Sequence, residues 1–332
     1  MSKTSYLLGR IIRIDVKGIL KIAKNISKKT NKSRIYILKD MIYCGFKYQA
    51  GYYDYQEFEL YKVDKSKRPT YLTRGKNNAI VKKYNDKSYF HVFENKAEFN
   101  QQFEPYIKRA WLNLKESSKE EFERFIKNNP VFIAKPIDGL GGVGIEKYTV
   151  QSDTSISKLY QTLKEKNQYL LEAFVIQHPE MNRLYDGSVN TLRMFTFYKD
   201  GQGHFLHAVL KIGNGGMIDN FSSGGMYTFL ENDGSVKLPA VDKEDILYDT
   251  HPISQTKIIG FQVPMFDEAV ELVKKAATVV PQIAYVGWDI AISKDGPVII
   301  EGNCYPGIFQ KRASFSPDGN GILVEYQKYM DI

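Results

Sequence analysis

Three oxygen-bearing side chains near the C-terminal end stand where a divalent cation would want them. They lie in Gly287-Trp-Asp-Ile-Ala-Ile-Ser-Lys-Asp-Gly-Pro-Val-Ile-Ile-Glu-Gly-Asn303. Lys294-Asp-Gly296 reads as a tight turn between two strands, with Asp289 on the first and Glu301 and Asn303 on the second. Strand side chains alternate, so Glu301 and Asn303, two residues apart, point to one face. Ile290, Ile292, Val298 and Ile299 around them are apolar. Buried acids without a counter-ion are costly, and two carboxylates with an amide oxygen suit Mg²⁺, which favours carboxylates together with substrate phosphates.

A second chemical signature lies upstream, in Ile133-Ala-Lys-Pro-Ile-Asp-Gly-Leu-Gly-Gly-Val-Gly-Ile-Glu146. Gly139, Gly141, Gly142 and Gly144 match G-x-G-x-x-G letter for letter. A dinucleotide fingerprint needs a helix directly after its glycines, whose N-terminus holds the pyrophosphate. The residues after Gly144 are instead Ile145-Glu-Lys-Tyr-Thr-Val150, which alternate like a strand. The loop therefore joins two strands, and the pattern G-x-x-x-x-G-K-[ST] is absent. A glycine-rich flap between antiparallel strands can close its backbone N–H groups over triphosphate oxygens, with Lys135 supplying a point charge.

Taken in order, these residues resemble the ATP-grasp superfamily, and within it the sugar-transfer-associated branch, over about residues 90–310. Asn95-Lys96 before a helix looks like the first nucleotide-contacting lysine. Lys135-Pro with the four glycines looks like the second lysine and the phosphate loop. Leu171-Glu-Ala-Phe-Val175 looks like the adenine hinge, which implies that backbone groups of Glu172, Ala173, Phe174 and Val175 bind the base. Glu180 falls where a ribose-binding acid often stands. Asp289, Glu301 and Asn303 look like the Mg²⁺ ligands, and Glu301-Gly-Asn-Cys-Tyr-Pro-Gly307 resembles the metal-and-substrate loop of D-alanine–D-alanine ligases. One departure stands out: residues 1–90 do not read as the Rossmann-like first domain of the usual ligase layout, so the substrate site built there is not carried over.

The resemblance implies an ATP- and Mg²⁺-dependent ligase that phosphorylates a carboxylate and lets an amine attack the acylphosphate. The branch implies a role in surface polysaccharide synthesis, an amino acid joined to a sugar acid, with a nucleotide-sugar or lipid-linked sugar as a partner. Such chemistry needs cations around the transferring phosphoryl group. Arg193, in Ser188-Val-Asn-Thr-Leu-Arg193, is the candidate for the acylphosphate, and Lys211 for a phosphate oxygen. Asn190, Asp219, Asn220, Gly224, Gly225 and Gly307 are candidates for the acceptor pocket. His178 reads as structural rather than as a base, and Cys304 as a small packed residue. A small-molecule kinase on the same nucleotide site, and a catalytically silent nucleotide-binding scaffold, are the alternatives.

These residues need elements to position them. The 332 residues, 43% apolar and 25% charged, are ample for a large multi-lobed unit or two domains. No apolar run approaches a membrane span, no secretory leader is read, and Cys44 and Cys304 have no metal-like spacing, so the cytoplasm is the expected compartment. Helices alternate with antiparallel hairpins, which makes the class α+β rather than doubly wound. Helices are expected over 96–127 (with Trp111, Leu112, Phe122 and Phe125 in the core), over 153–167 from an N-cap at Asp153, and over 265–280. Strands are expected at 131–135, 145–150, 169–175, 191–198, 204–212, 284–293 and 297–301. The expected division is a basic region 1–90, a small subdomain 91–180 with the phosphate loop and hinge, and a C-terminal subdomain 181–332 with the metal site.

Charge is uneven. Residues 1–90 hold 21 Lys/Arg and 7 Asp/Glu, a net +14 that leaves −6 of the total +8 for the rest. Leu7, Leu8, Ile11, Ile12, Ile19, Ile22, Ala23 and Ile26 recur near helical spacing among those lysines. Two readings are open: a helix packed on its own domain with a solvated basic face, or an amphipathic helix touching an anionic membrane. No nucleic-acid signature is present.

Overall fold

The basic N-terminal stretch folds as two capped helices. A computed structural model describes residues 15–139, 143–216, 219, 221, 224–316 and 318–332. Helix α1, Val16–Lys29, opens on Asp15, whose carboxylate accepts from the Gly18 N–H at 2.9 Å. Helix α2, Arg34–Tyr48, opens on Ser33 and closes on Gln49 at φ 55°. Ile22, Ala23 and Ile26 of α1 meet Ile37, Met41, Cys44 and Tyr48 of α2 in a buried cluster. The stripe from Ile22 to Ile26 is therefore core, which favours the packed reading for this segment. Leu7, Leu8, Ile11 and Ile12 lie outside the described residues.

An ion pair is buried in the same cluster. Arg68 donates to both carboxylate oxygens of Asp40, at 2.7 and 2.9 Å, and the Tyr55 hydroxyl adds a third hydrogen bond at 2.7 Å. Burial alone would push the Asp40 carboxyl up; the hydrogen bonds and the Arg68 charge outweigh it and hold it below the ordinary value.

The described chain divides into two compact units: residues up to Ile80 with Ile308–Ile332, and Val81–Gly307. This differs from the sequence-based division at 90 and 180. Residues 308–332, read there as part of the C-terminal subdomain, pack with the N-terminal helices. Gln310 Oε1 accepts from the N–H groups of Leu72 at 3.1 Å and Ile322 at 3.3 Å. Short helices α3, Tyr52–Glu57, and α4, Arg74–Tyr84, complete the run up to residue 84.

Two antiparallel sheets make the larger unit. Strands β1 (Trp111–Asn113), β2 (Val131–Lys135), β3 (Glu146–Thr149) and β4 (Leu170–Ala173) form the smaller sheet in the order β1-β4-β2-β3. Helix α5, Lys96–Gln102, precedes it; α6, Lys119–Asn128, and α7, Ile156–Glu165, bury Phe122, Phe125, Ile126 and Leu163 against Phe132, Ala134 and Leu171. Helix α6 starts with reciprocal Ser118 and Glu121 caps. The single helix expected over 96–127 is thus four pieces: α5, a short turn of helix at Glu104–Ile107, strand β1 and α6. Lys108, at φ 47°, turns the chain, and Trp111 and Leu112 leave as a strand paired with Glu172 and Leu171. Helix α7 begins after Ser155 rather than Asp153.

Helix α8, Pro179–Leu184, leads to the larger sheet. It contains β5 (Thr191–Lys199), β6 (Gln202–Ile212), β7 (Met226–Phe229), β8 (Ala240–Val241), β9 (Leu247–Tyr248), β10 (Tyr285–Ser293) and β11 (Gly296–Asn303), in the order β11-β10-β5-β6-β7-β8-β9. Helix α9, Phe266–Ala276, packs across it with Phe266, Ala269, Leu272, Val273 and Ala276 buried. The class is α+β.

Candidate nucleotide and metal site

Register across the larger sheet assembles the site. Glu301 on β11 stands opposite Asp289 on β10, and Asp289 opposite Arg193 on β5. Arg193 faces Val209 of β6, so Lys211, two residues on, lies diagonally on the same face. Four charged side chains from four adjacent strands therefore form one row. Arg193 grips Asp289 with two of its three nitrogens, Nε–Oδ1 2.6 Å and Nη2–Oδ2 2.8 Å. Lys211 Nζ lies 3.5 Å from Asp289 Oδ2 and 3.4 Å from Asp219 Oδ1.

The two facing carboxylates differ electrostatically. Burial would raise both. At Asp289 the charges of Arg193 and Lys211 overcome it and hold the carboxyl well below its usual range. Half-buried Glu301 is pushed up, by burial first and then by the charge of Asp289. Asn303 Nδ2 is at 3.4 Å from the Gly287 carbonyl and 3.5 Å from Glu301 Oε1. The chemistry of this donor set fits Mg²⁺: two carboxylates repel each other beside an amide, and a cation between them relieves that repulsion. Among the described residues no three His, Cys, Asp or Glu side chains are grouped to hold a metal, so any such site uses the amide as well.

The smaller sheet brings a second cluster. Glu172, central on β4, is buried; Lys135 Nζ reaches its Oε2 at 2.8 Å, while Arg109 Nη2 at 2.9 Å and Asn100 Nδ2 at 2.7 Å reach its Oε1. Burial would raise this carboxyl, but the charges of Arg109 and Lys135 hold it down to about 2. Arg109 also donates to the carbonyls of Ile299 and, at 3.2 Å, Ile300, the two residues before Glu301. It thereby ties the smaller sheet to the strand that carries Glu301. Sequence reading missed Arg109 and Asn100. The signal for Arg109 was slight: one arginine between apolar Ile107 and Trp111.

Lys96 is the first residue of α5, behind its Asn95 cap, and its ammonium donates to the Gly139 carbonyl at 2.6 Å. Its pKa is lowered, by burial and then by the charge of Lys135; Glu301, Asp138 and Glu172 act the other way. Lys96, Lys135, Glu172 and Glu301 therefore share one electrostatic neighbourhood. Gly139 and Gly144 have φ of 125° and 77°, and a Cβ on Gly144 would lie 2.9 Å from Pro136 Cγ, so glycine is required there on both counts. Gly141, Gly142 and Asn220 lie outside the described residues.

Other expectations fare differently. The N–H groups of Ala173 and Phe174 already donate to Ala110 and Val131 carbonyls, at 2.8 and 3.2 Å, so these two donors are not available to a base; Val175 comes next, half-buried. Glu180 pairs at the surface with Arg183 at 2.9 Å. Asn190, expected in the acceptor pocket, is fully buried: its amide donates to the Met181 and Tyr185 carbonyls and its oxygen accepts from the Gly213 N–H. Asp219 accepts from the Thr191 N–H at 2.9 Å and reaches the row through Lys211. Gly224, at φ 100°, sits in a turn, Gly225 is buried before β7, and Gly307 is exposed. His178 Nδ1 caps α8 by accepting from the Glu180 N–H at 3.1 Å. Cys304 is buried and its thiol is pushed up to about 11, as suits a packed residue.

A sheet bearing the row Glu301–Asp289–Arg193–Lys211, and a smaller sheet whose strand β2 ends in Lys135, belong to a protein of the ATP-grasp class. The chain belongs to the sugar-transfer associated ATP-grasp family, which it matches over residues 75–312. Among solved structures it is similar to the ATP-grasp ligase PsnB complexed with minimal precursor, at 13% identity and TM-score 0.38, covering 68% of this chain and 56% of that one. It is also similar to D-alanyl-alanine synthetase A from Vibrio cholerae, at 12% identity and TM-score 0.38, covering 65% and 56%. A third is D-alanine–D-alanine ligase from Bacillus anthracis, at 16% identity and TM-score 0.37, covering 66% and 59%. The chain thus spans less than two thirds of each of these proteins. No curated protein matches it.

Proposed function

We propose that the protein is an ATP- and Mg²⁺-dependent ligase that joins a carboxylate to an amine through an acylphosphate. The observation that carries the reading is the row Glu301–Asp289–Arg193–Lys211, with Lys96 and Lys135 in the same field. Asp289, Glu301 and Asn303 would hold Mg²⁺, which when bound supplies positive charge to the phosphoryl oxygens. Lys135 and Lys96 meet triphosphate oxygens beneath the glycine loop. Lys135 is held in place by Glu172, and that carboxylate is itself held by Arg109. Arg193, fixed in one rotamer by its two hydrogen bonds to Asp289, orients the acceptor carboxylate and stabilises negative charge as the carboxylate oxygen attacks the γ-phosphorus, the bond to the β,γ-bridging oxygen breaks and ADP leaves. Lys211 stands beside it for a phosphate oxygen. The amine then attacks the acyl carbon, the amide forms and phosphate leaves.

The family's association with sugar transfer supports a sugar acid as the carboxylate and an amino acid as the amine, in surface polysaccharide synthesis, with a nucleotide-sugar or lipid-linked sugar as the presented form. The decisive test is ADP release from amino acids crossed with uronic acids and their nucleotide derivatives. The expected outcome is turnover only when both substrates are present. A stable phosphorylated product formed without an amine would move the reading to a kinase on the same site.

A further inference from the structure

Helix α2 is apolar on two opposite sides. One side, with Ile37, Met41, Cys44 and Tyr48, is buried in the N-terminal core. On the other, Ile35, Ile42 and Phe46 stand seven and four residues apart, so they form one stripe, and they are 68%, 60% and 70% exposed. Single exposed apolar residues are ordinary; a helix with a second apolar stripe has something to bury.

The surroundings of the stripe select its partner. Val16–Tyr48 contains nine Lys/Arg and one acid, Asp40, which is buried and paired with Arg68. Lys39 stands in the stripe itself, one turn beyond Ile35. Exposed Tyr36 and Tyr43 flank it, each with a lysine over its ring: Lys32 Nζ is 5.6 Å from the Tyr36 centroid and Lys47 Nζ 5.4 Å from that of Tyr43. Amphipathic tyrosines and long-stemmed lysines around an apolar strip match the boundary between lipid headgroups and acyl chains.

We propose that the outer face of α2 docks on an anionic lipid bilayer, with Ile35, Ile42 and Phe46 at the acyl boundary and Lys39, Lys47 and Arg34 among the headgroups. No helix among the described residues is long and apolar enough to cross a membrane. A second copy of this chain is a poor occupant, because it would set Arg34, Lys39 and Lys47 against their own counterparts. Nucleic acid offers phosphates but no hydrocarbon to cover isoleucine and phenylalanine. The inference stands on the N-terminal unit alone and is independent of the ligase reading.

The test is flotation of the full chain with vesicles of phosphatidylglycerol and phosphatidylcholine in equal parts, against phosphatidylcholine alone. The protein is expected to float with the first, less so as salt is raised, and not with the second. Ile42→Ser with Phe46→Ser removes two apolar anchors, each worth about tenfold, so partition should fall about a hundredfold. Because both side chains are exposed, the melting temperature should hold. Phe46→Trp supplies an independent readout: its emission should shift to the blue with the anionic vesicles relative to the parent chain. A parent chain that stays unbound, a double variant that floats undiminished, or an unshifted Phe46→Trp emission each overturns the proposal. So does loss of flotation on replacing Leu7, Leu8, Ile11 and Ile12 by serine while the α2 double variant floats normally. A solution dimer dissolved by Phe46→Ser would assign the stripe to a second copy and overturn it as well.

Discussion

Asp289 and Glu301 face each other on paired strands, yet their substitutions should behave oppositely. Asp289 balances Arg193 and Lys211, both buried. Asp289→Ala strips Arg193 of its bidentate partner and leaves Lys211 with Asp219 alone, and should cost about 3–5 kcal/mol in chemical denaturation. Glu301 is the member whose carboxyl is raised, by burial first and then by the charge of Asp289. Glu301→Ala removes a repulsion, so stability should hold or rise slightly while ADP release falls about a hundredfold or more, the loss typical when one electrostatic partner of a reacting charge is removed. Lys135→Ala should likewise abolish ADP release. Near-normal turnover in both variants would reject the site assignment.

Glu172 gives a pH prediction at the same scale. Its carboxyl is depressed from the ordinary 4.5 to about 2. A depressed acid stabilises the fold above its unfolded pKa and loses that stabilisation as pH falls through the folded one. Between about pH 5 and about pH 2 the parent should therefore lose about 3 kcal/mol more than Glu172→Gln does, read from denaturant midpoints. Equal acid limbs for the two proteins would show that Glu172 does not titrate in this way.

Elements set the geometry of these residues. The hairpin β10–β11 places Asp289 and Glu301 in register, and the fold packs Phe93 and Phe99 on Gly302 between the two candidate ligands on β11. A Cβ at Gly302 would lie 2.8 Å from Phe99 Cε2 and 3.0 Å from Phe93. Gly302→Ala should push β11 away from these rings, costing about 1–3 kcal/mol of overpacking and weakening Mg²⁺-dependent turnover along with it. Thermal melts and ADP release report the two effects separately; unchanged values in both would mean the rings yield freely. On β4 the element-level lesson is different. Glu172 sits on the face shared with Trp111, so the residues of a nominal hinge serve an internal ion cluster through one side chain, while two of their N–H groups serve the sheet.

At the scale of the whole molecule, charge separates two tasks. The N-terminal helices carry the basic excess, whereas the carboxylates of the larger sheet are largely neutralised by Arg193 and Lys211 from the same chain. That internal balance predicts how the protein responds to metal removal. Chelation of Mg²⁺ should abolish ATP turnover yet shift the melting temperature by no more than a few degrees, because Asp289 keeps its ion pairs with Arg193 and Lys211. A collapse of the fold on chelation would show that the metal is structural.

Much of this was legible in the sequence, because it is local. Alternation and the Lys294-Asp-Gly296 turn put Asp289, Glu301 and Asn303 on one hairpin; Lys135 and the glycines lie within ten positions of each other; helical spacing announced α1 and α9. Such features depend on backbone periods and turn chemistry that act over a few residues. What only the tertiary structure decided is non-local. Strand order set Arg193 against Asp289, 96 residues away. Packing around Gly213 turned Asn190 inward, Arg109 found Glu172 and the Ile299 carbonyl across two sheets, and residues 308–332 joined the N-terminal helices. A long-range pairing is chosen by the net burial and charge balance of the whole fold, and no short stretch of sequence carries that sum.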